Sequence, residues 1–201
     1  MRLLCFSDLH RNISAAEKLV TMAKDADVVI GAGDFATRRK GLSDTLDILK
    51  QIRQPTVLVP GNGESYEELK MACQSWEQAR VLHGNGCKIL GVPFWGVGGG
   101  IPVTPFGDWS YDFDEEKAEK LLADCPPGAV LVTHSPPIDT VDHDQSGLIR
   151  GSKAIRTAVE NQAPLAVICG HIHSDWGKST LLGHTVIQNA GPGGVWIELT
   201  P

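Results

Sequence analysis

The chain has no apolar run close to the 18 or so residues that a membrane-spanning helix needs, so a helical membrane protein is excluded. It also has no surplus of positive charge. Eighteen basic residues against 24 acidic ones give a net charge of −6, with no block of five or six like charges. The electrostatic footprint of a general nucleic-acid binder is missing, and polymeric nucleic acid is not expected as a partner. Cysteines are few and scattered. Cys5, Cys73, Cys87, Cys125 and Cys169 are odd in number and include no CxxC pair, which removes the usual signs of a structural zinc site or a dithiol motif. They read as small buried hydrophobes in a reducing compartment. Aromatics make up only 6% of the sequence, so most of a core must be aliphatic. The first apolar stretch, Leu3 to Phe6, is shorter than the secretory h-region of about 7 to 15 residues. A cytoplasmic protein without a membrane partner is the expectation.

What is present fits an ordinary globular α/β domain. The length of 201 residues suits one domain occupying 1–201. Short, continuous apolar runs at 2–6, 28–32, 56–59, 88–92, 129–133, 165–169, 184–188 and 194–199 predict strands covered on both faces. Between them lie helical patterns. Ser14 with Glu17 and Ser65 with Glu68 have capping-box spacing, Ser152 can cap a segment to about Asn161, and further helices fall near 43–52 and 113–123. Strand–helix alternation in the first third means a parallel core, while the last two strands are expected to form an antiparallel meander. Residues 93–112, rich in glycine and proline, predict a long loop, and 189–192 a turn. The reading is one α/β domain with mixed sheets.

How the strands end is the informative feature. Asp8 and His10 follow the first, Asp34 the second, Asn62 the third, His134 the 129–133 run, and His171 with His173 the 165–169 run. In α/β folds ligands bind at the carboxyl ends of strands, so these distant residues can converge on one crevice. Each has an ordinary alternative: helix or turn capping for Asp8 and Asp34, a turn for Asn62, a satisfied core imidazole for His134. Coincidence of all five sites in this order is the poorer account. Three carboxylate or amide oxygens with four imidazoles suit Mn, Fe, Co, Ni or Zn better than Ca or Mg alone. Two such ions about 3.5–4 Å apart clamp phosphoryl oxygens and activate water. One carboxylate must then bridge, and sequence order makes Asp34 the candidate.

These blocks resemble the motifs of the calcineurin-like metallophosphoesterases, DxH, GD, GNH[DE], H and GHxH. They read here Asp8-Leu9-His10, Gly33-Asp34, Gly61-Asn62-Gly63-Glu64, His134 and Gly170-His171-Ile172-His173. The segments 96–100, 133–137 and 151–156 are similar to a small prokaryotic single-domain branch of that family. The resemblance implies a four-layer αββα sandwich of two mixed β-sheets flanked by helices, with the metals at its apex. It implies a first metal on Asp8, His10, Asp34 and His173, and a second on Asp34, Asn62, His134 and His171, manganese foremost with iron, nickel, cobalt or zinc as alternatives. The implied activity is attack of a metal-bridging hydroxide on a small phosphoester, a nucleotide included, with a diester preferred to a monoester. A catalytically silent interaction scaffold of the same fold is the alternative.

The departure is Gly63, where much of the family has a histidine proposed to assist the leaving group. Loss of general acid catalysis typically removes about 10²- to 10⁴-fold for a poor leaving group. His143, in the loop after the His134 strand, is the candidate replacement. Asn12 is expected to cap a helix rather than touch phosphate. Arg150 and Lys153 could meet a second phosphate, and Trp95 and Trp109, which bracket the long loop, are expected to anchor it ahead of stacking on a base.

Overall fold

Strands made of continuous apolar residues need cover on both faces, and the chain supplies it by stacking two sheets and laying helices on each outer side. The computed structural model describes residues 1–199. Its elements are β1 (Arg2–Phe6), α1 (Ile13–Met22), β2 (Val28–Gly31), α2 (Leu42–Leu49), β3 (Thr56–Leu58), α3 (Tyr66–Ala72), β4 (Ala79–Val81), β5 (Asn85–Ile89), β6 (Val92–Val97), α4 (Glu115–Leu122), β7 (Val130–Thr133), α5 (Lys153–Gln162), β8 (Ala166–Cys169), β9 (Ser179–Leu182), β10 (Thr185–Asn189) and β11 (Val195–Glu198). The first sheet runs β11-β1-β2-β3-β4, with β1 to β4 parallel and β11 antiparallel. The second runs β5-β6-β7-β8-β10-β9, parallel from β6 to β10 with antiparallel edges.

Side-chain alternation along each strand divides the core into three apolar layers. Leu4 and Phe6 of β1 pack with Leu19, Leu46 and Leu69 from α1, α2 and α3. Leu3 and Cys5, on the opposite face, meet Val130 and Ile168 of the second sheet. Leu131 and Val167 pack with Leu122, Ile155 and Val159 of α4 and α5. Three apolar layers make four structural ones, the αββα sandwich.

Several local expectations are corrected. Asn12, as expected, caps α1, its side chain accepting from the Ala15 amide, while Ser14 of the proposed capping box lies inside the helix, which begins at Ile13. The Ser65–Glu68 capping box and the Ser152 cap are present. Strand 88–92 straddles a two-residue hairpin turn at Leu90 and Gly91, whose φ values of 49° and 87° suit a primed turn between β5 and β6. The long loop therefore starts after Val97 rather than at 93. The last two strands do not form a meander: Gly191 to Gly194 carry the chain from β10 in one sheet to β11 in the other. The strands β4 and β9 are short edges with polar residues such as Arg80, Ser179 and Thr180, which leaves no continuous apolar signal.

Candidate metal centre

Five parallel strands from both sheets, β1, β2, β3, β7 and β8, end on the same side of the sandwich and deliver the seven metal-capable residues there. Local backbone is bent to do so. Asp8, His10, Asp34 and His171 hold φ of 54°, 45°, 59° and 68°, left-handed conformations that cost of order 1–3 kcal/mol each and persist only when their surroundings enforce them. Here the loops lace one another: Asp8 N donates to Gly33 O at 2.9 Å and His10 N to Asp34 O at 2.9 Å. Two glycines permit the approach. A Cβ on Gly33 would lie 2.6 Å from the Gly61 backbone, and one on Gly170 would lie 2.4 Å from the Asp8 carboxylate.

Ligand atoms of Asp8, His10 and His173 form one cluster within 4.8 Å, and those of Asp8, Asp34 and His134 another. Asp34 faces both ways. Its Oδ2 lies 3.5 Å from His10 Nε2, and its Oδ1 lies 3.5 Å from His134 Nε2. His171 Nδ1 and Asn62 Oδ1 each stand 3.2 Å from His134 Nε2, and His10 Nε2 is 3.1 Å from His173 Nε2.

The tautomers follow from the backbone. His134 Nδ1 is 2.8 Å from Ala32 O and His10 Nδ1 is 3.3 Å from Ala36 O; a carbonyl only accepts, so both Nδ1 atoms donate and both Nε2 lone pairs face inward. Acceptor thus faces acceptor at hydrogen-bonding distance, which is unfavourable unless cations lie among them. Without a metal, a proton on His134 is what relieves this conflict. Burial opposes charge on Asp34, but the facing His134, with His10 behind it, holds its carboxyl below the usual carboxylate range. Burial likewise opposes charge on His134, yet Asp34 overrides it and lifts the imidazole to about 9. His171 is pushed down to about 3 by burial and by the charge on His134, and burial also lowers His173. Asp34 held ionised beside His171 and His173 held neutral, with Asp8, Asn62, His10 and His134 around them, makes a donor set of oxygens and imidazole nitrogens that fits borderline divalent cations.

A second tier of residues fixes these ligands, and most of it escapes sequence reasoning. Glu64, 1% exposed, accepts from Asp34 N and Gly61 N on one oxygen and from Ala36 N on the other, clamping the loops after β2 and β3 together. Burial and then the Asp34 charge push its carboxyl up to about 7, against the pull of those donors. Asn62 Nδ2 donates to Ser110 Oγ at 2.9 Å, and Ser110 donates to Asp112 Oδ1 at 2.8 Å, which turns the Asn62 oxygen toward His134. Trp176 Nε1 and the His171 amide donate to the Asp8 carboxylate. Asn189, expected in a turn, is the buried last residue of β10, and its Nδ2 donates to Gly170 O and Ile172 O at 3.3 and 3.0 Å. The strand-end signal that marked the seven ligands marks Asn189 too; nothing in the sequence singles out Ser110, Asp112 or Trp176.

A cleft of about 820 Å³ opens from this cluster and is lined by His10, Asp34, Asn62, His171 and His173, by Arg38, Arg150 and Lys153, and by apolar residues of the 102–109 loop. His143 is not brought into it. Its half-exposed ring stands 3.7 Å from the Asp142 carboxylate, and a β-bridge to Ile149 holds its backbone. Asn12 is engaged as a helix cap, and Trp95 anchors the loop by donating to Leu121 O at 2.9 Å. Trp109 differs, because it lines the cleft.

No curated protein matches the sequence. Among solved structures, protein TT1561 of Thermus thermophilus superposes with a TM-score of 0.76 at 21% identity, covering 96% of this chain and 90% of that one. A dimetal phosphatase from Danio rerio gives 0.65 at 11% identity, over 96% and 88% of the two chains. A phosphopantetheinyl hydrolase from Mycobacterium tuberculosis gives 0.61 at 18% identity, over 94% and 88%. These likenesses concern the fold. The family model of the calcineurin-like phosphoesterases matches residues 1–175, a span that contains all seven convergent residues, and the chain belongs to that family.

Proposed function

We propose that the chain, read as one domain over residues 1–201, is a dinuclear metal-dependent phosphohydrolase acting on a small phosphoester in the cytoplasm. The observation that carries this reading is the two-way presentation of Asp34, one oxygen toward His10 and the other toward His134. Asp8, His10, Asp34 and His173 would hold one ion, and Asp34, Asn62, His134 and His171 the other, manganese foremost. Two divalent ions bound there supply Lewis acidity for a water and for the phosphoryl oxygens.

The chain's own residues do the rest. Arg38 and Lys153 line the cleft and carry charge suited to non-bridging phosphoryl oxygens. Gly63 N donates to Asp34 Oδ1 at 2.7 Å and helps keep that carboxylate ionised. Glu64 and Asn189 hold the loops rigid, so little reorganisation accompanies substrate binding. With glycine at position 63, the chain offers no imidazole there to protonate a leaving oxygen. That favours esters needing little acid assistance, and a diester over a monoester.

The test is hydrolysis of bis-nitrophenyl phosphate and nitrophenyl phosphate by chelator-stripped protein, with and without added Mn²⁺. Activity is expected only with metal, faster on the diester, and reduced at least about 100-fold in Asp34→Ala, as befits several kcal/mol of lost charge stabilisation. Tight calorimetric binding of two ions without hydrolysis of either ester would overturn the reading in favour of an interaction scaffold.

A further inference from the structure

The cleft is larger than a phosphoryl group requires, and its lining is of two chemical kinds. A volume of about 820 Å³ lies in the range that takes a whole organic ligand. Its lining combines the imidazoles and carboxylates of the metal-capable cluster with an apolar set, Val103, Phe106, Trp109 and Ile149. Val103, Phe106 and Ile149 are 62%, 50% and 47% exposed. Single exposed hydrophobes need no explanation, but a contiguous set inside a cleft marks a binding surface.

This apolar set has an aromatic geometry. The Phe106 and Trp109 rings lie nearly parallel, 12° apart with centroids 5.6 Å from each other, and the Arg38 guanidinium stands 5.6 Å from the Trp109 ring. Flat faces beside a cation favour a flat, polarisable guest over a branched aliphatic one. The charges point the same way. Arg39 and Arg150 are paired with Glu68 and Asp144, whereas Arg38 and Lys153 have no ion-pair partner among the described residues. The aromatic loop is also fixed in place relative to the metal-capable cluster. Thr104 donates to Asp112 through both its amide and its hydroxyl, at 2.9 and 2.6 Å, and Ser110 joins Asp112 to Asn62. Both ends of the aromatic loop therefore hang from one carboxylate that is tied to a metal-capable residue.

Resting on the phosphohydrolase reading, we propose that Phe106 and Trp109 form a stacking shelf for a planar aromatic group on the leaving-alcohol side of the ester, with Arg38 and Lys153 meeting the phosphoryl charge. The chemistry is hydrolysis: a new P–O bond forms to water, the ester P–O bond breaks, and the leaving oxygen ends with a proton from that water. The aromatic group is a nucleobase or a simple aryl ring, which share the same flat face.

The experiment compares adenosine monophosphate, nitrophenyl phosphate and glycerol phosphate, each as monoester and methyl diester, on the Mn²⁺-loaded protein and on Trp109→Ala and Phe106→Ala. Preference in kcat/KM for ring-bearing over ring-free esters is expected to fall roughly 5- to 150-fold in Trp109→Ala, the loss of one stacked ring, and to show in KM more than in kcat. A larger fall for the adenosine esters identifies a nucleotide, and a larger fall for the nitrophenyl esters a simple aryl ester. The second readout is quenching of tryptophan fluorescence by adenosine or nitrophenol in chelator-stripped protein, expected to be lost in Trp109→Phe. Unchanged preference in both alanine variants, with no Trp109-dependent quenching, would overturn the shelf while leaving the hydrolase reading intact. Trp109-dependent quenching with no ester hydrolysed would instead uphold the shelf and sink the hydrolase reading.

Discussion

Asn189→Asp exchanges one NH₂ group for an oxygen and leaves size and shape unchanged, so its effect isolates the two hydrogen bonds that hold the His171–His173 loop. In the folded protein Nδ2 donates to Gly170 O at 3.3 Å and to Ile172 O at 3.0 Å, in a site with no solvent exposure. The new carboxylate oxygen would face two carbonyl oxygens. Two neutral bonds of about 1 kcal/mol each are lost, and the buried charge must be either endured or neutralised. Neutralising it sets the ceiling, since protonating a carboxyl of ordinary pKa at pH 7 costs about 4 kcal/mol. The protonated acid can restore one donor, so the net loss at pH 7 is about 3–5 kcal/mol. The sign of the pH dependence follows. The introduced carboxyl is raised above its unfolded value, so the folded state holds the proton more tightly. The penalty is therefore small, about 1 kcal/mol, below pH 4, and it grows as pH rises toward 7. Urea unfolding of chelator-stripped wild type and variant at pH 4 and pH 7 reads this directly, with Asn189→Ala as a control expected to lose about 1–2 kcal/mol at both pH values. Equal losses for the Asp variant at the two pH values would refute the hydrogen-bond assignment.

Two further outcomes are expected. Ser110→Ala removes the acceptor that turns the Asn62 amide, so affinity for one of two divalent ions should fall about 10- to 100-fold by calorimetry, as when an outer partner of a ligand is lost; unchanged affinities would leave Ser110 no orienting role. His83 lies among Tyr66, Tyr111 and Phe113, and burial pushes its imidazole down to about 4. Its folded value is depressed, so the unfolded chain binds the proton first and stability falls as pH drops from about 6.5 toward 4, by about 2 kcal/mol after allowing for partial exposure. His83→Gln should flatten that acid limb in urea melts, and an unaltered limb would assign it to other groups.

The strands that build the site were legible because each is a short continuous apolar run ended by a polar residue. Asp8, Asp34, Asn62 and His134 could be placed from β1, β2, β3 and β7 without any three-dimensional information. The edge strands β4 and β9 were not, because they bury little and so need no apolar pattern. Sheet exchange at Gly191–Gly194 was also hidden: a glycine-rich connection reads the same whether it turns back or crosses over. Convergence of the seven side chains follows from parallel strands, whereas the supporting contacts of Ser110, Asp112 and Trp176 depend on loop paths no local pattern encodes. His143 shows the same limit. Its position after a motif strand suggested reach, but a bridge to Ile149 and the neighbouring Asp142 keep its ring off the cleft.

The left-handed backbone at Asp8, His10, Asp34 and His171 also shapes how such a site can change over generations. Glycine and asparagine tolerate that conformation and β-branched residues do not, so few single replacements leave these loops intact. Glycine at the exposed end, at His10, would even relieve about 1 kcal/mol of local strain. A lineage no longer selected for catalysis would thus find its first steps away from metal binding favourable to folding. The way back would require reinstalling strain before any benefit of binding returned. At His10, loss is downhill and recovery uphill, a bias set by one backbone angle.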